Sequence, residues 1–417
     1  MARIKMKYSF EQLQKINGMV GTPYYIMYPD IYERNIKTFL DAFQCRYNRV
    51  IAGYSFKTNY VPALCQKAKS VGCYAEVVSE MEFRIAQRLG FEHIIFNGPI
   101  KTGAILEEAI KADAIVNLDS EYEIDSICKY VKDHPGSNPR IGIRINIRLT
   151  GEDGKSTIQC GLRQGRFGFP HDILGKAIAK LREAGVKIIS LHGHTSSSDR
   201  AVCNYKVITR QMLKVCEDYH LDDLQYFDVG GGFFGAAAEG VDLTGRPEYK
   251  DYANIILDET LLNEWFVAHQ PYIVIEPGSS VVSNVFEYVT KVYQNKLIED
   301  VHFVTVDGSV FDVKPTMHTN NLPFDVVRKG EVGDGDTCDV VGSTCMEKDV
   351  ILKDVLLPSV EKGDYIIMRG VGAYTICLTP TFINFLSPIV SMEDGNVKVV
   401  RRRQNIDDVL GIYSFEE

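Results

Sequence analysis

Four short segments carry residues whose chemistry could combine. Lys57 sits in Tyr54-Ser55-Phe56-Lys57-Thr58-Asn59, directly after an apolar run. An amine desolvated there sheds its proton readily and can form a Schiff base with a carbonyl. His192-Gly193-His194-Thr195-Ser196-Ser197-Ser198 sets a flat imidazole before small hydroxyls, suited to covering an aromatic ring and bonding a phosphate. Asp228-Val229-Gly230-Gly231-Gly232 supplies three consecutive glycines, whose backbone N–H groups can approach an anion closely. Glu276-Pro277-Gly278 offers a carboxylate. Facing a pyridine nitrogen, it would hold that nitrogen protonated and make the ring a better electron acceptor.

Each segment alone has an ordinary reading: a surface lysine, a loop histidine, a flexible turn. A dinucleotide loop is the other phosphate reading of the glycines, but the GxGxxG spacing is missing. Together the four describe a pyridoxal 5′-phosphate site.

The elements that must position these residues follow from hydrophobic patterning. Eight short apolar runs precede helical stretches: Val50–Phe56, Cys73–Val78, His93–Phe96, Ala114–Leu118, Arg140–Ile147, Ile188–Leu191, Tyr226–Val229 and Tyr272–Ile275. Runs apolar on both faces indicate buried parallel strands. Ser79–Leu89, Thr102–Lys111 and Pro170–Glu183 space apolar residues as helices do. Eight such units predict an α/β fold, a closed (β/α)8 TIM barrel, with an open doubly wound sheet as the alternative. The four chemical segments then fall at the ends of strands one, six, seven and eight, where such barrels carry their active sites and phosphate sites.

After about residue 285 the pattern changes. Val285–Val292, His302–Val306, Thr337–Val341, Tyr365–Met368 and Val397–Arg401 read as strands without regular helices between them. They predict a C-terminal antiparallel β domain. Tyr24–Tyr28 is another strand-like run near the start. The expected organisation is an N-terminal segment 1–28 joining the β domain, a barrel over 29–285, and the β domain over 286–417.

The 417 residues carry a net charge of −9, with 45% hydrophobic and 24% charged residues. The acidic balance argues against a nucleic-acid partner. No apolar run approaches the roughly 18 residues of a membrane span. The basic residues near the start precede no apolar stretch, so no secretory signal is expected and a cytoplasmic setting is. Ten cysteines, at 45, 65, 73, 128, 160, 203, 216, 338, 345 and 377, form no CxxC and no cluster with zinc-ligand spacing. No metal is expected, and most should be reduced, buried thiols.

The sequence resembles the fold-type III pyridoxal phosphate decarboxylases, the class-II ornithine/lysine/arginine family. That group includes diaminopimelate, ornithine and carboxynorspermidine decarboxylases, with alanine racemases as distant relatives. The resemblance runs from about Pro23 to Arg402. It rests on the strand-end segments above, on Gly342-Ser343-Thr344-Cys345 with Asp349, and on Gly372-Ala373-Tyr374. It implies that Lys57 forms the Schiff base, His194 stacks on the cofactor, and Ser197, Gly230, Gly231, Gly232 and Tyr374 hold its phosphate. Glu276 would pair with the pyridine nitrogen, and Glu76 would lie near the ring. Cys345 would donate a proton after carbon dioxide leaves. In this family that cysteine comes from the other subunit, which implies a homodimer with shared sites.

Two departures bear on the substrate, expected to be an amino acid or a derivative of one. The family's Glu-Pro-Gly is usually followed by arginine; here Ser279 follows. Arg144 and Arg166, both in barrel segments, are candidates to replace that charge. An acidic residue usually follows the cysteine; here Met346 does, then Glu347, Lys348 and Asp349. Met346 cannot hold an ammonium group, so Ser279, Met346, Glu347 and Asp349 are the expected substrate-contacting positions. Ser196 also stands where the family commonly has glycine. These changes point away from meso-diaminopimelate, toward polyamine or secondary metabolism or a carrier-linked amino acid. The alternatives are a pyridoxal phosphate amino-acid racemase, disfavoured by Glu276, and a non-catalytic homologue acting as a regulatory binding subunit.

Overall fold

The computed structural model describes residues 8–150, 155–330 and 333–414. Its internal contacts divide it into two units: Glu33–Gly235 with Thr244–Val281, and the residues up to Tyr32 with Ala236–Leu243 and those from Val282 onward.

The N-terminal strand is β1 (Tyr24–Met27), and the barrel strands are β2 (Val50–Ser55), β3 (Tyr74–Val77), β4 (Ile94–Phe96), β5 (Ile115–Leu118), β6 (Ile141–Arg144), β7 (Ile188–His192), β8 (Tyr226–Asp228) and β9 (Tyr272–Ile275). Strands β2 to β9 form a closed barrel, sealed by the parallel pairing of β2 with β9 (Val50 opposite Ile273). The expected TIM barrel is therefore what the chain forms, and the open sheet is not. Ile51, Ile95, Ile115, Ile189, Tyr226 and Val274 pack together inside it.

Toward the strand ends the interior turns polar. Ser55, Glu76, Asn97, Asn117, Arg144, His192, Asp228 and Glu276 lie within one residue of the ends of the eight strands in turn, and all are buried. Strand alternation puts every second side chain inward, so one polar residue per strand makes a layer across the barrel. Helices cap the connections locally. Ser79, for example, accepts from the Glu82 N–H at 3.3 Å to start Glu80–Arg88.

The second unit holds β10 (Phe286–Ile298), β11 (Val301–Val306), β12 (Phe324–Val327), β13 (Gly335–Val341), β14 (Val350–Pro358), β15 (Tyr365–Arg369), β16 (Ile389–Glu393) and β17 (Asn396–Arg401). Its strand order is β14-β13-β11-β10-β1-β16-β17, with β15 between β10 and β12. The N-terminal strand thus joins this sheet, antiparallel to β10 and parallel to β16. All four of its residues are buried. The sheet is mixed, which corrects the expectation of a purely antiparallel one: β1–β16 and β11–β13 are parallel. Both parallel pairs join strands distant in sequence, where no hairpin forces antiparallel pairing. Among the described residues, no helix is long and apolar enough to cross a membrane.

Gly142 on β6 tests the polar layer. A Cβ there would collide with the Asn117 side-chain oxygen and the Ser190 Cβ. Gly142→Ala should lower unfolding stability by about 1–3 kcal/mol through overpacking. An unchanged denaturant midpoint would show that the layer has slack.

Candidate active site

Lys57 follows β2 on a single 3-10 turn, Phe56–Thr58, whose flanking residues Phe56 and Thr58 are buried. That turn leaves the Lys57 side chain one-third exposed at the barrel mouth while its amine reaches Glu76 Oε2 at 2.8 Å. The Ser55 hydroxyl donates to the same oxygen at 2.6 Å. Asn97 bridges the two carboxylates: its amide nitrogen donates to Glu76 Oε1 at 3.1 Å and to Glu276 Oε1 at 2.5 Å. Asn117 fixes that orientation by donating to Asn97 Oδ1 at 2.8 Å.

Glu276 Oε2 faces His192 Nε2 at 3.5 Å. Donor and acceptor atoms of His192, Asp228 and Glu276 all lie within 4.8 Å of one another. Two buried carboxyls this close cannot both ionise cheaply. Burial, then the charge of Glu276, pushes Asp228 well above the usual carboxylate range. Burial also opposes charge on Glu276, but the approach of His192, and then of the Lys57 ammonium, outweighs it and holds Glu276 below that range. The proton therefore sits on Asp228 and the negative charge on Glu276. Burial pulls the His192 pKa down, and the charge of Glu276 opposes that pull.

His194 accepts from the Gly231 N–H at Nδ1, 3.0 Å away. Burial, then the Arg144 charge, holds its pKa well below the usual histidine value. Its neutral tautomer thus carries the proton on Nε2, which faces the Ser196 hydroxyl at 3.3 Å. The glycines allow this approach. A Cβ on Gly230 (φ 71°) would strike the His194 side chain, and one on Gly231 would strike the Glu276 carbonyl oxygen.

The N–H groups of the three glycines differ in their partners. Gly230 donates to Asp228 Oδ1 at 2.9 Å, and Gly231 to His194. Of the three, only the Gly232 N–H has no hydrogen-bond partner among the described residues. Ser197 Oγ accepts from the Arg200 N–H at 3.0 Å and the Asn204 amide at 2.9 Å.

Neither arginine considered as a replacement bonds Ser279. Arg144 pairs with Asp119 at 3.3 Å and donates to the His194 carbonyl, while Arg166 lies over the Phe167 ring. The guanidinium that reaches the Ser279 hydroxyl, at 3.3 Å, belongs to Arg200. Sequence reasoning missed Asn97, His192, Asp228 and Arg200 as working parts of this site. Asn97 and Asp228 stand at strand ends and His192 opens the His-Gly-His motif, so a full census of strand ends would have found them. Nothing in the pattern marks Arg200.

In the second unit, Cys345 is exposed on the Gly342–Asp349 loop, with Met346 half-buried and Glu347 exposed. Asp349, expected at the substrate, is buried and ties the loop to Ser309 and Val310. It accepts from the Ser309 hydroxyl at 3.1 Å, the Val310 N–H at 2.6 Å, and both the N–H and hydroxyl of Thr344 at 3.0 and 2.6 Å. Gly342 has no room for a Cβ because that carboxylate lies against it. Tyr374 is exposed and takes a left-handed backbone conformation, φ 51°.

The barrel residues fit pyridoxal phosphate. They provide an amine beside a buried carboxylate, an ionised carboxylate able to hold a pyridinium, a neutral flat ring, and an uncommitted N–H near serine hydroxyls. Comparison agrees. Residues 32–283 match the model of the pyridoxal-dependent decarboxylase family's pyridoxal-binding domain. Diaminopimelate decarboxylase of Archaeoglobus fulgidus is 29% identical over 378 residues, 87% of this chain and 85% of that one. A probable chloroplastic diaminopimelate decarboxylase of Oryza sativa is 26% identical over 401 residues, 94% of this chain and 79% of that one. The crystal structure of Helicobacter pylori diaminopimelate decarboxylase with L-lysine superposes with a TM-score of 0.83 at 25% identity, covering 96% of this chain and 98% of that one.

The chain belongs to the fold-type III pyridoxal-dependent decarboxylase family. It is a carboxy-lyase, and its cofactor is pyridoxal 5′-phosphate.

Asp312, on the short helix Val310–Val313 that Asp349 holds beside the cysteine loop, predicts a pH effect. Asp312 accepts from the Ser309 N–H, and burial, with the Asp349 charge adding, pushes its pKa from the ordinary 3.8 up to about 6. Below pH 3.8 the group is protonated folded or unfolded. Between there and about 6 only the folded chain keeps the proton, so stability falls as pH rises, and above about 6 the full penalty applies. Asp312→Asn should therefore gain melting temperature relative to wild type between about pH 4 and about pH 7. A flat difference across that range would show that Asp312 does not hold the proton.

Proposed function

We propose that this enzyme decarboxylates an amino acid, or a derivative of one, whose far end bears no carboxylate, so that meso-diaminopimelate is not its preferred substrate. The observation that carries the reading is the pair of replacements, Ser279 for an arginine and Met346 for an acid. A neutral hydroxyl cannot form the bidentate, fully charged pair that an arginine gives a carboxylate. A half-buried thioether favours an apolar or extended tail. An amino acid presented on a conjugate or carrier would also suit.

When bound, pyridoxal phosphate withdraws the electrons left behind as carbon dioxide departs. The residues around it have separable duties. Lys57 supplies the amine that holds the cofactor and, after the reaction, displaces the product. Glu76 keeps that amine oriented. Glu276, kept ionised because Asp228 keeps the proton, sustains positive charge on the pyridine nitrogen. His194, neutral and flat, covers one ring face. Ser197, the Gly232 N–H and Tyr374 take the phosphate. Cys345 delivers the proton that completes the product. Following the resemblance, it is Cys345 of the partner subunit that serves each site in a homodimer, and Asp349 shapes its loop. A thiol acid needs a reducing compartment, which favours the cytoplasm.

Purified protein should be yellow, with visible absorbance that Lys57→Ala abolishes. Cys345→Ala should keep the absorbance and lower turnover by roughly a hundredfold or more. Carbon dioxide release should be measured with carboxynorspermidine, lysine, ornithine, arginine and meso-diaminopimelate at equal concentration. Fastest release from meso-diaminopimelate would overturn the substrate reading and leave the cofactor roles standing.

A further inference from the structure

We infer that Arg200 supplies the cation for the cofactor's phosphate, taking over from outside the Glu-Pro-Gly segment the charge that Ser279 lacks. The inference rests on the cofactor reading above and deepens it.

Arg200 is tied to the glycine corner at several points. Its N–H donates to Ser197 Oγ at 3.0 Å, and its carbonyl accepts from the Tyr252 hydroxyl at 2.7 Å. Its Nη1 donates to the carbonyl of Phe233, the residue after Gly232, at 3.4 Å, and to Ser279 Oγ at 3.3 Å. The guanidinium lies 5.3 Å from the Phe234 ring centroid. Three parts of the expected phosphate end therefore converge on one residue: Ser197 on its backbone N–H, and the Gly232–Phe233 corner and Ser279 on its guanidinium.

The charge is also uncommitted. No carboxylate pairs with Arg200 among the described residues. The adjacent Asp199 turns its oxygen to the Ala201 N–H at 3.1 Å and the Asn204 amide at 2.8 Å instead. Both side-chain bonds of Arg200 use Nη1, leaving Nη2 and Nε without a partner among the described residues. A half-buried guanidinium with spare donors and no counter-ion fits a dianionic phosphate monoester, which takes paired N–H donors. The backbone adds a second sign. Arg200 adopts φ 49°, a conformation a non-glycine residue rarely takes and one that functional sites tend to hold. Ser279 completes the arrangement: its small hydroxyl accepts the guanidinium that an arginine at 279 would have repelled.

The test compares pyridoxal phosphate with pyridoxal, which lacks the phosphate. Cofactor-stripped wild type, Arg200→Ala, Arg200→Lys and the double variant Arg200→Ala with Ser279→Arg are titrated with each compound, following visible absorbance and intrinsic fluorescence. Circular dichroism and melting temperature check each fold. Arg200→Ala should weaken pyridoxal phosphate binding by about ten- to a hundredfold, the range for a hydrogen bond to a charged group. Its affinity for pyridoxal should be unchanged. Arg200→Lys should fall between, and the double variant should regain most of the loss. Should Arg200→Ala not fold, the lysine and double variants carry the same comparison. Undiminished pyridoxal phosphate binding in folded Arg200→Ala, or equal losses for both compounds, would overturn the assignment of Arg200 alone. A wild-type protein that takes up neither compound would overturn the cofactor reading beneath it.

Discussion

Everything at the barrel mouth depends on where one proton sits. Asp228 and Glu276 end adjacent strands, both are buried, and only one can carry charge at tolerable cost. The neighbours decide which. Asn97 gives its amide to Glu276, and His192 turns a nitrogen toward it. Asp228 receives the Gly230 N–H on one oxygen, and among the described residues no donor reaches its other oxygen. The same Asn97 amide reaches Glu76, which orients Lys57, so the electron-sink carboxylate and the cofactor-binding amine are set by one hydrogen-bonded layer. Such a layer stays in place because leaving any member unsatisfied in a dry interior is costly.

The barrel was readable because its strands are buried on both faces and so appear as unbroken Val and Ile runs. The β domain was only partly so. Strand β10 extends six residues beyond the Val292 expected as its end, and its outer half, with Gln294, Asn295 and Lys296 exposed to solvent, hides the run. Strand β14 contains Lys353 and Asp354 on its exposed positions, and β12 is four residues long. Periodicity fails where one face meets water or the element is too short to repeat.

The site divides in the same way. Lys57, His194, Glu276 and the glycines sit in motifs whose composition states their chemistry. What the motifs could not state is who already holds each group. The N–H groups of Gly230 and Gly231 look available in sequence, yet Asp228 and His194 have them. Asp349 looks like a substrate ligand, yet four donors saturate it. Arg200 lies 79 residues from Ser279 along the chain, and only folding brings them together.

The placement of β1 has a consequence for biosynthesis. Its antiparallel partner begins 262 residues after it starts, at Phe286, and its parallel partner starts still later, at Ile389. A ribosome therefore exposes Tyr24-Tyr25-Ile26-Met27, a strand buried at every position in the finished protein, long before either neighbour exists. The barrel sequence emerges in the interval and can close on itself, since all its pairings lie within its own span. Until then the first strand is a sticky edge awaiting the last third of the chain, the kind of long-range pairing that slows folding and invites association between nascent chains.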